Sequence, residues 1–181
     1  KEKIKESNLN FNPISNYGES KLISEIFIKK FCKKRKINYL IMRFPNVVGK
    51  PFTHGIIYDL GKKILKNKIL YVLGNGEQKK PYIHVKELVQ CMFFLMEKKT
   101  KYSIYLLGPN DNGVKVKEIV NILKKNFKLN KKTIFEKKKY GWLGDVPEYK
   151  YNVGRLNKEG FKFKNNSKQA VVEAIKERVF F

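Results

Sequence analysis

Acidic residues are scarce in this chain. Asp and Glu number 16 against 40 Lys and Arg, which leaves a net charge of +24 over 181 residues. Such an excess suits either a nucleic-acid-binding face or lysines that simply decorate solvated surfaces. The lysines are spread along the whole chain and are dense only at Lys33, Lys34, Arg35 and Lys36 and at Lys137, Lys138 and Lys139. No nucleic-acid motif accompanies either run, so nucleic acid is not an expected partner; a basic cleft still attracts an anionic diphosphate. Cysteine is nearly absent: Cys32 and Cys91 stand alone, without a CxxC pair. That excludes a disulfide framework and gives no sign of a metal site; both are read as free thiols in a reducing compartment. No apolar run reaches the length of a membrane span, and the polar start from Lys1 to Asn12 has no signal-peptide core. Together these features predict a cytoplasmic protein with no membrane partner. The chain does not begin with Met, so it is expected to start inside a longer protein.

Apolar residues are not in short supply. At 42% hydrophobic and 13% aromatic, the chain has the material for a globular core, unlike disordered segments that combine high charge with low hydrophobicity. A polar loop ending at Asn12-Pro13 leads into a helix predicted from Ser15 onward, with Leu22, Ile23, Ile26, Phe27 and Phe31 at helical spacing. Ile37 to Phe44 reads as a short buried strand before Pro45. Further helices are predicted over Gly55–Asn67, Lys86–Lys98, Val116–Phe127 and from a cap at Ser167 to about Val179. Short strands are predicted at Ile69–Leu73, Tyr82–Val85, Ser103–Leu107 and Thr133–Glu136. The pattern is mixed α/β, with the first helix and strand forming one unit of a parallel sheet.

Tyr17-Gly18-Glu19-Ser20-Lys21 carries the first chemical signal. On a helix, residues four apart share a face one turn apart. A phenol with an ordinary pKa near 10 is a poor base at neutral pH, and a neighbouring ammonium favours the phenolate. Such a pair can exchange a proton with a sugar hydroxyl or ketone. The spacing alone also describes an ordinary surface pair, so its context matters.

That context is Asn12-Pro13-Ile14-Ser15-Asn16-Tyr17-Gly18-Glu19-Ser20-Lys21-Leu22, preceded by Glu6. It resembles the active-site segment of the extended short-chain dehydrogenases/reductases, the NAD-dependent epimerases and dehydratases of nucleotide sugars. Three more segments match in order: Arg43-Phe44-Pro45-Asn46-Val47-Val48-Gly49, then Gly74-Asn75-Gly76-Glu77-Gln78-Lys79-Lys80-Pro81-Tyr82-Ile83-His84-Val85, then Gly144-Asp145-Val146-Pro147 with Tyr151 to Gly160. The resemblance spans almost the whole chain. It implies the C-terminal part of a Rossmann-like fold within residues 1–60, and a small mixed α/β nucleotide-sugar-binding domain over most of 61–181, with some elements returning to the Rossmann domain.

The same resemblance implies roles. Tyr17 would be the general acid/base, and Lys21 would hold the nicotinamide ribose of NAD and tune Tyr17. The Pro45 backbone would lie near the nicotinamide. Asn46 and Lys80 would contact the sugar diphosphate. Tyr82, His54 and Asp145 are further candidates on the substrate side, although His54 also reads as a helix-start residue and His84 as a structural histidine. Lys80 stands where the family has Arg, so a bidentate fork is replaced by a point charge. The arginine that often precedes the Gly-Asp pair is replaced by Tyr140-Gly141-Trp142, which leaves that phosphate contact open. No Gly-rich dinucleotide turn occurs in these residues, and the family's Ser or Thr partner of the tyrosine would fall before Lys1. The expectation is therefore a UDP-glucose/UDP-galactose type 4-epimerase lacking its N-terminal Rossmann half and homodimeric when complete. The stretch Gly141 to Pro147 resembles epimerases more than dehydratases. An NDP-sugar 4,6-dehydratase and a non-catalytic remnant are the alternatives.

Overall fold

The computed structural model describes residues 3–7, 12–51, 53–139, 141 and 148–177. Helix α1 (Asn16–Arg35) leads to strands β1 (Ile41–Arg43) and β2 (Asn46–Val48). Helix α2 (Ile56–Lys66), β3 (Ile69–Val72), β4 (Lys79–Lys80) and β5 (Tyr82–His84) follow. Next come α3 (Val85–Glu97), β6 (Ile104–Leu106), β7 (Val114–Lys115), α4 (Val116–Asn126), β8 (Lys132–Phe135), α5 (Gly154–Glu159) and α6 (Ser167–Lys176). Three strand pairs are parallel, β1 with β6, β2 with β5 and β3 with β8, and β4 with β7 is antiparallel. Parallel neighbours need long crossovers, which the helices supply, and the architecture is the expected mixed α/β.

Helix α1 starts where Ser15 Oγ accepts a hydrogen bond from Gly18 N at 3.2 Å, satisfying one of the free donors of a first turn. It ends at Lys36, whose left-handed φ of 54° turns the chain, while the Ile37 amide donates back to Cys32 O at 3.0 Å. This contact corrects the expected strand over Ile37–Phe44. Ile37 closes the helix and is 52% exposed, and only Ile41–Arg43 pairs, on one edge, with β6. The apolar stripe of α1 also differs from a core helix. Cys32 is its one buried residue, and Ile23, Ile26, Phe27 and Phe31 are exposed.

The other helices bury what their periodicity predicts. Ile57, Leu60 and Ile64 of α2, Ile119, Val120 and Leu123 of α4, and Ala170, Val171, Ala174 and Ile175 of α6 enclose Leu70 and Val72 of β3 in one core. A second core joins Leu88, Cys91 and Leu95 of α3 to Tyr105, Leu106, Leu107 and Leu156, with Ile4, Leu40 and Met42 packed against it. Burying one such Leu or Ile contributes about 1.5–3 kcal/mol. The cap of α6 is Asn166, not Ser167: Asn166 and Gln169 form a reciprocal capping box. Ser167 lies inside and is fully buried, accepting from Tyr82 N at 3.1 Å and donating to Asp111 Oδ1 at 2.8 Å. The predicted end of that helix at Val179 lies outside the described residues. Strands β2, β4 and β7 and helix α5 had no predicted counterpart.

Candidate functional site

Tyr17 and Lys21 project from the first two turns of α1. Tyr17 is 72% exposed, and Lys21 Nζ lies 5.3 Å from the centre of its ring. Ser20 Oγ is turned onto Tyr17 O at 2.8 Å. One turn beyond Lys21, Glu25 receives two hydrogen bonds from Arg43, from Nε at 2.7 Å and from Nη2 at 2.6 Å. Burial works to raise the Glu25 pKa, but the Arg43 hydrogen bonds and charge outweigh it and hold the carboxyl below its ordinary range. This pair fastens α1 to β1. The sequence reading passed over it, although Glu25 continues the four-residue spacing of Tyr17 and Lys21. Tyr17, Gly18, Lys21 and Glu25 line an open concavity of about 810 Å³ together with Pro13, Arg43 and Phe44.

Three residues further on, the chain enters a second cavity. Pro45 is buried against Gly108. Asn46, first residue of β2, donates from Nδ2 to Pro81 O at 3.3 Å and to Tyr149 Oη at 3.4 Å. Asn46, Gln78, Lys80 and Tyr82 line a cavity of about 340 Å³, together with Ile56, Asp59, Leu60 and Lys63 of α2 and with Tyr71, Val72 and Leu73. Gln78 precedes β4, Lys80 ends it and Tyr82 opens β5, so this part of the wall comes from one short stretch of chain. The turn that feeds β7 is held close by Gly113, with φ 72°; a Cβ there would stand 2.4 Å from Lys80 O. Gly55, the residue before α2, lines the cavity. His54 lies on the exposed loop just before it, its Nδ1 2.8 Å from Thr53 Oγ1. Asp145 lies outside the described residues.

His84 is buried at 1% exposure. Its Nδ1 accepts from Lys86 N at 3.3 Å, capping α3, so the neutral ring carries its proton on Nε2. That nitrogen lies 3.4 Å from Glu177 Oε2 and packs over Gly49, where a Cβ would stand 2.7 Å away. Glu173 and Glu177 complete a trio with metal-ligand atom types. A metal on Nε2 would have to displace that proton, and Glu177 already accepts from Lys86 Nζ at 2.8 Å and Lys50 N at 2.9 Å. The chemistry of the trio is that of a clamp joining α6 to the turn after β2.

The residues on α1 fit a nicotinamide ribose in kind. A phenol and an ammonium, both exposed, face one open concavity beside the small residue Gly18. No Gly-rich dinucleotide-binding turn occurs in this sequence.

Two cavities flank residues 43–46, one bearing a tyrosine–lysine pair and the other lysines and an asparagine, in a mixed α/β fold. The comparisons with known proteins agree with that class. The profile of the NAD dependent epimerase/dehydratase family matches residues 1–108, and the chain belongs to this family. A Methanocaldococcus jannaschii protein provisionally named UDP-glucose 4-epimerase is 29% identical over 134 residues, covering 72% of this chain and 43% of the relative. A crystal structure of UDP-galactose 4-epimerase superposes with a TM-score of 0.79 at 25% identity, over 93% of this chain and 55% of that one. The structure of dTDP-glucose 4,6-dehydratase from Bacillus anthracis, in complex with NAD, matches with a TM-score of 0.82 at 18% identity, over 97% and 55%. The chain thus spans about half the length of the proteins it resembles. The fold is Rossmann-like and the family is NAD-dependent. No helix among the described residues is long and apolar enough to cross a membrane.

Proposed function

We propose that these residues form the acid/base and nucleotide-sugar-binding half of an NAD-dependent 4-epimerase acting on a UDP-hexose. The observation that carries the reading is the sequence of groups along the chain. Tyr17 and Lys21 open on one side of residues 43–46, and Asn46 and Lys80 on the other. Four extended residues span roughly 13 Å, so one elongated ligand can lie across both cavities with its sugar toward Tyr17 and its diphosphate toward Lys80.

In this reading Tyr17 removes the proton from the sugar 4-hydroxyl and returns it after the sugar has turned over. Lys21 keeps a positive charge beside the phenol, which favours the deprotonated form. NAD, when bound, supplies the acceptor and donor of the C4 hydride. Asn46 and Lys80 orient the diphosphate so that only the hexose end is free to rotate. The opposite chemistry, 4,6-dehydration of an NDP-sugar, is the second reading, because a dehydratase is among the structural matches. Both readings need a dinucleotide-binding half beyond the residues at hand, and the exposed apolar face of α1 with the edge of β1 that is unpaired among the described residues is where we place it.

The test is a coupled assay of UDP-galactose conversion, with this chain supplied together with a family Rossmann half. Turnover in the combination, with roughly a hundredfold loss in Tyr17→Phe, the scale of a general acid/base contribution, supports the proposal. Near-wild-type turnover in Tyr17→Phe, or steady turnover by these 181 residues alone, overturns it.

A further inference from the structure

Gln78 is 4% exposed, and its side-chain carbonyl oxygen has no hydrogen-bond donor. A buried acceptor left unsatisfied costs the folded state on the order of a full desolvation penalty, and such a group in a native structure calls for an explanation. The backbone of Gln78 is accounted for, since its C=O accepts from Val116 N at 3.0 Å. The side chain is not. It lies on the wall of the second cavity, immediately before β4 and two residues before Lys80, and Lys80 and Tyr82 line the same cavity.

We infer that Gln78 reads a ribose hydroxyl of the nucleotide. This rests on the nucleotide-sugar reading above and deepens it. With the diphosphate at Lys80 and the hexose directed past Asn46 toward Tyr17, the group next to the diphosphate on the other side is the ribose. Two residues along an extended strand span about 6.6 Å, close to the separation of a ribose hydroxyl from its own phosphate. An acceptor without a donor matches a ligand group that donates, and the ribose 2′- and 3′-hydroxyls both do. The terminal torsion of a carboxamide is broad, so the oxygen swings toward an arriving hydroxyl at little cost. Gln78 is then a specificity residue: it is kept unsatisfied in the empty fold and satisfied by substrate.

The experiment is calorimetric titration of the wild-type protein and Gln78→Leu with UDP, 2′-deoxy-UDP and 3′-deoxy-UDP, with thermal unfolding of each protein. A net hydrogen bond corresponds to about a 2- to 13-fold preference. The wild type should prefer UDP over one deoxy analogue by that factor, which identifies the hydroxyl. Gln78→Leu should lose the preference, bind UDP correspondingly less tightly and unfold at a higher temperature, because the orphaned acceptor is gone. If Gln78→Leu does not fold, Gln78→Met takes its place, and the wild-type comparison of the three nucleotides stands without any variant. A wild type that binds all three equally, or a variant that keeps the wild-type preference, overturns the inference while leaving the nucleotide site intact. A wild type that does not bind UDP refutes the nucleotide-sugar reading itself, and this inference with it.

Discussion

Replacing Glu25 by Ala should destabilise the protein by about 2–3 kcal/mol. The side chains of Glu25 and Arg43 are each 17% exposed, and they meet in a two-bond fork at 2.6 and 2.7 Å. Removing one member of a fully buried pair costs about 3–5 kcal/mol, whereas a solvated pair contributes about 0–1 kcal/mol. Partial solvent screening places this pair between the two, nearer the buried limit because both bonds are short and the second partner, Lys29, lies farther away at 3.6 Å. For a chain of this length, 1 kcal/mol moves Tm by about 2–4 °C, so the loss should be about 5–10 °C in a thermal melt followed by circular dichroism. Arg43→Ala disturbs other contacts as well, so the double-mutant cycle is the cleaner quantity: the two variants should couple by more than about 1 kcal/mol. A Glu25→Ala shift below about 2 °C, with coupling near zero, would show that α1 is held to β1 by packing alone.

Lys80→Ala should weaken UDP-sugar binding at least about tenfold and leave NAD binding nearly unchanged in the reconstituted enzyme; equal sugar-nucleotide affinity would make Lys80 a mere wall residue. Lys80→Arg is expected to bind at least as tightly, through a bidentate contact, and isothermal titration distinguishes the two variants. The pH dependence follows from four carboxyls held below their ordinary range, of which Glu77, lowered to about 2 by hydrogen bonds from Lys115 and Lys117, is solvent-exposed and the other three are not. Burial opposes this at Glu25 and Glu177 and is outweighed by Arg43 and by Lys86, respectively; at Glu159 the Tyr105 hydrogen bond leads. A folded pKa below the unfolded one contributes stability that is present above about pH 4.5 and lost as the pH falls through the folded value. Tm should therefore be level from about pH 7 to 5 and fall below about 4.5, and Glu25→Gln should flatten part of that fall.

The sequence was most legible where one periodicity ran uninterrupted. Helices α2, α3 and α4 were placed to within a residue because their apolar positions recur every three or four residues and Gly55 or a β-strand precedes them. It was less legible where a contact distant in sequence decides. Ile37 has the composition of a strand residue, yet its amide is taken by the helix end at Cys32. Ser167 has the composition of a cap, yet Asp111 and Tyr82 claim its hydroxyl and Asn166 caps instead. Strands β4 and β7 are two residues each and exist through pairing with each other, which no local pattern announces. At the candidate site, spacing and the surrounding motif singled out Tyr17 and Lys21, and motif order singled out Asn46, Lys80 and Tyr82; the structure places the first two on one cavity and the other three on a second. The unsatisfied oxygen of Gln78 was not readable, because a lone polar residue carries no sign in the sequence of which groups surround it.

The Glu25–Arg43 fork matters to chemistry as well as to stability, and the reason is leverage. Glu25 lies eight residues beyond Tyr17 on α1, about 12 Å along the axis at 1.5 Å per residue. Among the described residues α1 buries one side chain, Cys32, near its far end, so little packing fixes the tilt of its first turns. If the fork is lost and α1 tilts about 5° around its buried end, Tyr17 moves by more than about 1 Å relative to Asn46 and Pro45. A displacement of that size can cost on the order of a hundredfold in rate, comparable to removing the phenol's hydroxyl. Arg43 also lies within the segment that separates the two cavities, so the fork ties the helix bearing Tyr17, the proposed acid/base, to the strand that leads directly to Asn46. In the reconstituted enzyme, Glu25→Ala should therefore lower kcat far more than it raises KM for the sugar nucleotide, at temperatures well below its Tm. Equal kcat in variant and wild type would mean that the incoming Rossmann half, rather than the fork, sets the position of Tyr17.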